Sequence, residues 1–113
     1  SGIFTFPSTG MWLVTFHVNF FWTSSFRYNG FMIKNTTDNS TYNENSMAEN
    51  WIRSTYGENY MSSCSCRSLL DITATGTHKV KFMQYVQGSD AVVNRGSSSR
   101  NDQYATFIRL GDT

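Results

Sequence analysis

The sequence predicts an all-β domain, a sandwich or barrel of antiparallel strands, and three observations carry that prediction. Phe, Tyr, Thr, Ser and Asn are abundant while Leu, Ala, Glu and Lys are scarce, which is the usage of strands and turns and not of helices. Several stretches alternate apolar and other residues with a period of two, and no long stretch repeats at a helical period. Turn-forming clusters separate those stretches at short intervals. A chain of 113 residues fits one domain, residues 1–113, and leaves no room for two.

The elements follow in order. Residues 2–6 read as a short strand and residues 7–10, Pro-Ser-Thr-Gly, as a turn. Residues 11–22 give the strongest pattern. Trp12, Val14, Phe16, Val18 and Phe20 fall on one face, and Met11, Leu13, Thr15, His17 and Asn19 on the other. From Trp12 to Phe20 such a strand reaches about 27 Å, enough to cross a sandwich. Residues 27–34 read as a strand in which Asn29-Gly30 is either a tight hairpin turn or a bulge. Residues 35–50 are rich in Asn, Ser and Thr and read as a surface loop, with a short strand over 51–56. Residues 60–72 alternate Met61, Ser63, Ser65, Arg67 and Leu69 against Ser62, Cys64, Cys66, Ser68 and Leu70. A turn at 73–77 leads to a strand over 78–87, a second polar loop over 88–102, and a last strand over 103–110.

Composition bounds the function. Net charge is +1 and only 15% of residues are charged, so neither a nucleic acid nor a strongly cationic partner is expected. No run of about 18 apolar residues exists, so no membrane insertion is expected. Aromatics reach 16%, more than one small core calls for, which points to a partner and first of all to another copy of the chain. The chain starts Ser1-Gly2, without Met, and reads as the C-terminal part of a longer one.

Little in the sequence suggests catalysis. No G-x-S-x-G is present and no Ser-His-Asp set can be assigned by spacing. The eight acidic residues are scattered, with no glycosidase pair and no calcium loop. The chain is therefore read as no enzyme, with no cofactor and no metal. His17, in mid-strand, is expected to be hydrogen-bonded or exposed, with a pH-sensitive or metal-binding role as the sharper alternative. His78, beside a turn, is expected to be solvated. Cys64 and Cys66 lie two residues apart on one strand face, about 6.5–7 Å between Cα atoms, at or beyond the reach of a disulfide. They read as reduced core or interface residues. Asn35-Thr36-Thr37 and Asn39-Ser40-Thr41 are formal glycosylation sequons. Tyr42 and Met47 in the first loop, and Arg95 and Arg100 in the second, are the candidate recognition residues, since binding groups sit on loops of a rigid sandwich.

One resemblance runs along nearly the whole chain. The globular heads of the C1q family carry G-x-F-x-x-P-x-x-G-x-Y-x-F, and Gly2-Ile3-Phe4-Thr5-Phe6-Pro7-Ser8-Thr9-Gly10-Met11-Trp12-Leu13-Val14 is similar to it. Gly2, Phe4, Pro7 and Gly10 match, and Trp12 takes the aromatic position. The segment Leu69-Leu70-Asp71-Ile72 before the turn, the strand from His78 to Phe82, and the ending Tyr104-Ala105-Thr106-Phe107-Ile108 resemble the corresponding parts of the family. The resemblance implies an antiparallel jelly-roll sandwich of C1q/TNF-like type. It also implies a non-enzymatic homotrimer with Phe4, Trp12, Val14, Phe16 and Phe107 at the trimer interface or core. The family's first strands have no counterpart here, so another segment or chain is expected to finish the sheet. The Asn/Ser/Thr-rich loops and the last residues are more similar to viral heads. The expected setting is thus a virion tail fibre, capsid fibre or decoration protein that contacts other virion proteins and a host surface glycan or protein. A secreted extracellular ligand-binding module and a purely structural capsid cement are the alternatives.

Overall fold

The computed structural model describes residues 2–22, 26–52, 60–86 and 93–113. Eight strands are described: β1 (Ile3–Thr5), β2 (Gly10–Trp22), β3 (Phe26–Thr36), β4 (Asn43–Ile52), β5 (Tyr60–Ile72), β6 (Lys79–Val86), β7 (Val93–Asn94) and β8 (Gln103–Gly111). They form two antiparallel sheets, one in the order β1-β6-β3-β4, the other with β2 between β5 on one side and β7 and β8 on the other. The chain is all-β, with an architecture compatible with a sandwich. No described helix is long and apolar enough to cross a membrane.

The alternation in β2 becomes the core. Trp12, Val14, Phe16, Val18 and Phe20 point inward, where they meet Phe31 and Ile33 of β3, Leu70 and Ile72 of β5, and Val80 of β6. Val14, Val18, Phe20, Ile33 and Val80 are fully buried. Each such side chain stabilises the fold by roughly 1.5–3 kcal/mol relative to its exposed form.

Two expectations need correction and one open alternative is decided. Residues 43–50, expected as loop, belong to strand β4, which pairs with β3 alone. It is an edge strand in which Ser46, Ala48 and Asn50 are half-buried between Asn45, Met47 and Glu49 outside. An edge strand with polar groups on both faces gives no hydrophobic alternation, yet polar edges are how sheets avoid pairing with strangers. Asn29-Gly30 makes no hairpin: β3 runs straight through it, and its pairing with β4 shifts register between Phe26 and Asn29, the bulge alternative. His78 is buried, not solvated. It stands two residues before the inward Val80 and therefore on the same face. Its backbone N–H donates to the Ala74 carbonyl at 3.0 Å, and its ring contacts the hydroxyls of Thr77 and Thr73 at 3.2 and 3.4 Å.

Two glycines are dictated by geometry. Gly10 has φ of 132°, and a Cβ there would lie 2.4 Å from the Gly111 carbonyl oxygen, where the β2–β8 register shifts between Met11 and Trp12. Gly30 lies beneath the Tyr85 ring, 2.3 Å from where a Cβ would stand. Of the expected strand over 51–56, Trp51 and Ile52 close β4 and the rest lies outside the described residues. In the second polar loop, residues 88–92 lie outside them too, and Val93–Asn94 forms β7.

Candidate assembly face and inter-sheet cleft

The two sides of the sandwich are closed differently. On the β4–β5 side the links are polar: the Asn50 Nδ2 donates to the Ser62 Oγ at 2.5 Å and the Ser63 carbonyl at 3.2 Å, and the Ser68 hydroxyl donates to the Asn45 Oδ1. On the side where β1 and β6 face β8, aromatic rings make the closure. Phe107 of β8 meets Phe4 at 5.7 Å, Phe6 at 6.0 Å and Phe82 at 6.0 Å between centroids. Phe82 also packs against Phe16, tilted, with 4.6 Å between centroids. These distances fall in the 4.5–7 Å range of favourable aromatic pairs.

The outward face of the β5-β2-β8 sheet is the second feature. Leu13 is flanked in register by Leu69 on β5 and Ile108 on β8, an apolar row across three strands. Leu69, Ile108 and Leu110 are 56%, 48% and 58% exposed. The next row pairs Thr15 with Arg67 and Thr106. The row after it pairs His17 with Ser65 and Tyr104, whose ring stacks on the imidazole at 5.0 Å.

That row begins a directed hydrogen-bond chain. The Asn19 Nδ2 donates to the Asp102 Oδ1 at 3.4 Å, and the Asn19 Oδ1 contacts the His17 Nε2 at 3.1 Å. An amide oxygen only accepts, so Nε2 carries the proton. In the neutral imidazole Nδ1 is then the acceptor, and the Ser65 hydroxyl donates to it at 2.6 Å. Arg100 pairs with the Asp102 carboxylate at 3.1 Å. A hydroxyl aimed at an oriented imidazole is the beginning of a nucleophile relay. Here it lies exposed on a flat sheet face, and a neighbouring hollow of about 270 Å³ is lined by Asn19, Phe20, Met61, Ser62, Ser63 and Arg95 without either partner. Sequence spacing missed the pair because it depends on the β2–β5 register.

The predicted residues divide between these regions. Trp12, Val14 and Phe16 fill this chain's own core, Phe107 is half-buried at the aromatic closure, and Phe4 is exposed at its rim. The outward apolar row stands on the other face of β2. The four candidate recognition residues do not converge. The Tyr42 ring receives the Lys81 ammonium at 4.1 Å. Met47 lies on β4, in register with Met32 and, across β3, Met83. Arg95 contacts the Met61 sulfur, and its backbone N–H donates to the Asn19 carbonyl. Arg100 holds Asp102. Asn35 is paired with Asn43 within the sheet, while Asn39, at φ 64°, is exposed in the following loop. Cys64 and Cys66 are both free thiols, half-buried and buried. Among the described residues no group of three or more His, Cys, Asp or Glu side chains is placed to hold a metal. No model of a known protein family matches the chain, and the comparison with curated proteins found no similar one.

Proposed function

We propose that the chain is a non-enzymatic head domain of C1q/TNF-like jelly-roll type that assembles as a homotrimer. In this reading it belongs to a virion structural protein, a fibre or capsid decoration that contacts a host surface. The observation that carries the self-association is the apolar row Leu69–Leu13–Ile108, with Leu110 beside it, on the outward face of the β5-β2-β8 sheet. An exposed contiguous apolar patch on a small domain marks an interaction surface. A second copy is the simplest partner, since a closed ring reuses one interface without needing another protein. The sequence resemblance supplies the threefold symmetry and the virion setting. The polar residues on the far rows of the same face, and the Asn-rich segments beyond it, suit a hydrated rim and a glycan or protein contact.

Analytical ultracentrifugation at micromolar concentration tests the assembly. A single species of three chains is expected, and a stable monomer would overturn the reading. Blocking of host adsorption by the purified protein tests the receptor contact; absence of both binding and block would leave a cement role in its place. Secretion of the protein from a cell would favour the extracellular module instead.

A further inference from the structure

We propose that the aromatic side of the sandwich contains a binding site for a small neutral ligand made of one apolar ring and a hydroxyl. A cleft of about 360 Å³ opens between the sheets there. Its walls come from both sheets: Phe4 of β1, Phe82 and Gln84 of β6, Asn94 of β7, and Tyr104 and Ala105 of β8, over a floor of Phe16 and Phe31. The volume falls within the roughly 300–1,000 Å³ of small-molecule sites, and mostly apolar walls with a few placed polar groups are their usual make-up.

The polar end is specific. The Asn94 Nδ2 donates to the Gln84 Oε1 at 2.7 Å, and the Gln84 Nε2 donates to the Asn29 Oδ1 at 3.0 Å. This amide ladder crosses between the sheets with both ends unmet: the Asn94 Oδ1 and the Asn29 Nδ2 are buried without a partner. A buried polar atom left unpaired costs about 1–3 kcal/mol. Asn94 lines the cleft and Asn29 does not, so the Asn94 end of the ladder is the one a small turn of its side chain brings to a ligand. A hydroxyl both donates and accepts and meets an amide end in either sense. Among the described residues no Asp, Glu, Lys, Arg or His lines the cleft, so a charged ligand there would lose its hydration without gaining a counter-ion from them. The ring faces of Phe4 and Phe82 suit a flat apolar body. This site does not depend on the assembly proposed above.

The test uses the full chain labelled with ¹⁵N, with benzyl alcohol as probe and toluene, benzoate and benzylamine as comparators. Benzyl alcohol should shift the amides of Phe82, Gln84, Asn94, Tyr104 and Ala105 saturably. It should bind roughly three- to ten-fold more tightly than toluene, the worth of one hydrogen bond, and more tightly than either charged comparator. Ala105→Leu should fill the cleft and abolish the shifts while the rest of the spectrum stays folded. Asn94→Ala should keep ring binding but bring benzyl alcohol and toluene to equal affinity, which a merely structural role for Asn94 would not do. The absence of a saturable shift would overturn the site. So would shifts that survive in Ala105→Leu, or shifts that follow protein concentration and not the probe, the sign of a second copy in the cleft. Equal affinity for toluene in the unmutated chain would overturn the hydroxyl assignment.

Discussion

Cys64 and Cys66 show how position alone sets side-chain chemistry. Burial pushes the Cys64 thiol up to about 11 from an ordinary 9.0, with the Cys66 sulfur beside it adding to the rise. Burial raises Cys66 as well. A thiol raised in the folded state contributes stability that is complete below its unfolded value and is lost as pH rises through the folded one. Urea denaturation should therefore show stability falling between about pH 9 and 11, with a smaller fall in Cys64→Ala. At pH 8 the folded chain should react with iodoacetamide up to about a hundred-fold more slowly than the unfolded chain, as its thiolate is that much rarer. Asp38 goes the other way. Its Oδ1 accepts from the Ser40 N–H at 2.9 Å, the Thr36 hydroxyl at 2.7 Å and the Thr41 N–H at 2.8 Å. These bonds hold its carboxyl well below the ordinary 3.8. The stability from that loop is present above 3.8 and lost as pH falls below it. Asp38→Ala should accordingly destabilise at pH 7, with a difference from the unmutated chain that shrinks towards pH 2. Exposure also ranks the methionines: Met61, Met47 and Met83 are 67%, 47% and 39% exposed and Met32 only 6%. Limited peroxide treatment followed by mass spectrometry should find Met32 oxidised last.

Among the elements, the two constrained glycines give a graded prediction. Gly10→Ala sets a side chain at positive φ against a backbone oxygen that cannot move aside, and about 3 kcal/mol of destabilisation is expected from strain and overlap together. Gly30→Ala meets only the Tyr85 ring, which can swing outward at the loss of its hydroxyl bond to Glu49, so about 1 kcal/mol is expected. Equal denaturation midpoints for the two variants would contradict this. The strands β2 and β5 were legible in the sequence almost to their ends, because each has one face against the core, and a half-buried strand writes that as alternation. Strand β4 was not, because an edge strand is polar on both faces. His78 was legible in principle, being in phase with Val80 and Phe82, but the turn beside it suggested solvent. The Ser65–His17 contact and the Asn29–Gln84–Asn94 ladder were not legible at all. Each depends on register or on the stacking of two sheets, which one strand's pattern does not encode.

For the whole molecule, the outward row predicts how assembly should respond to charge. Leu69→Lys or Ile108→Lys places an ammonium in the apolar row without entering the core. Either should shift the sedimenting species to monomer while the circular dichroism and the denaturation midpoint stay nearly unchanged. A core substitution such as Phe20→Ala should instead cost about 3–5 kcal/mol of stability, since Phe20 is wholly enclosed. The two sides of the sandwich also differ in what holds them: amide–hydroxyl links on one, ring contacts around a cleft on the other. The pairing of β2 with β8 reaches beyond packing. Leu13 and its neighbour Ile108 lie far apart in the sequence, so the pair forms only once β8 has been made. During synthesis β2 emerges well before β8, with a row of Trp, Val and Phe on one face and one hydrogen-bonding edge that only β7 and β8 pair. That edge stays bare until β8 leaves the ribosome, so the growing chain is a natural client for a holding chaperone, and nascent copies crowded on one messenger risk pairing with one another before each finds its own last strand.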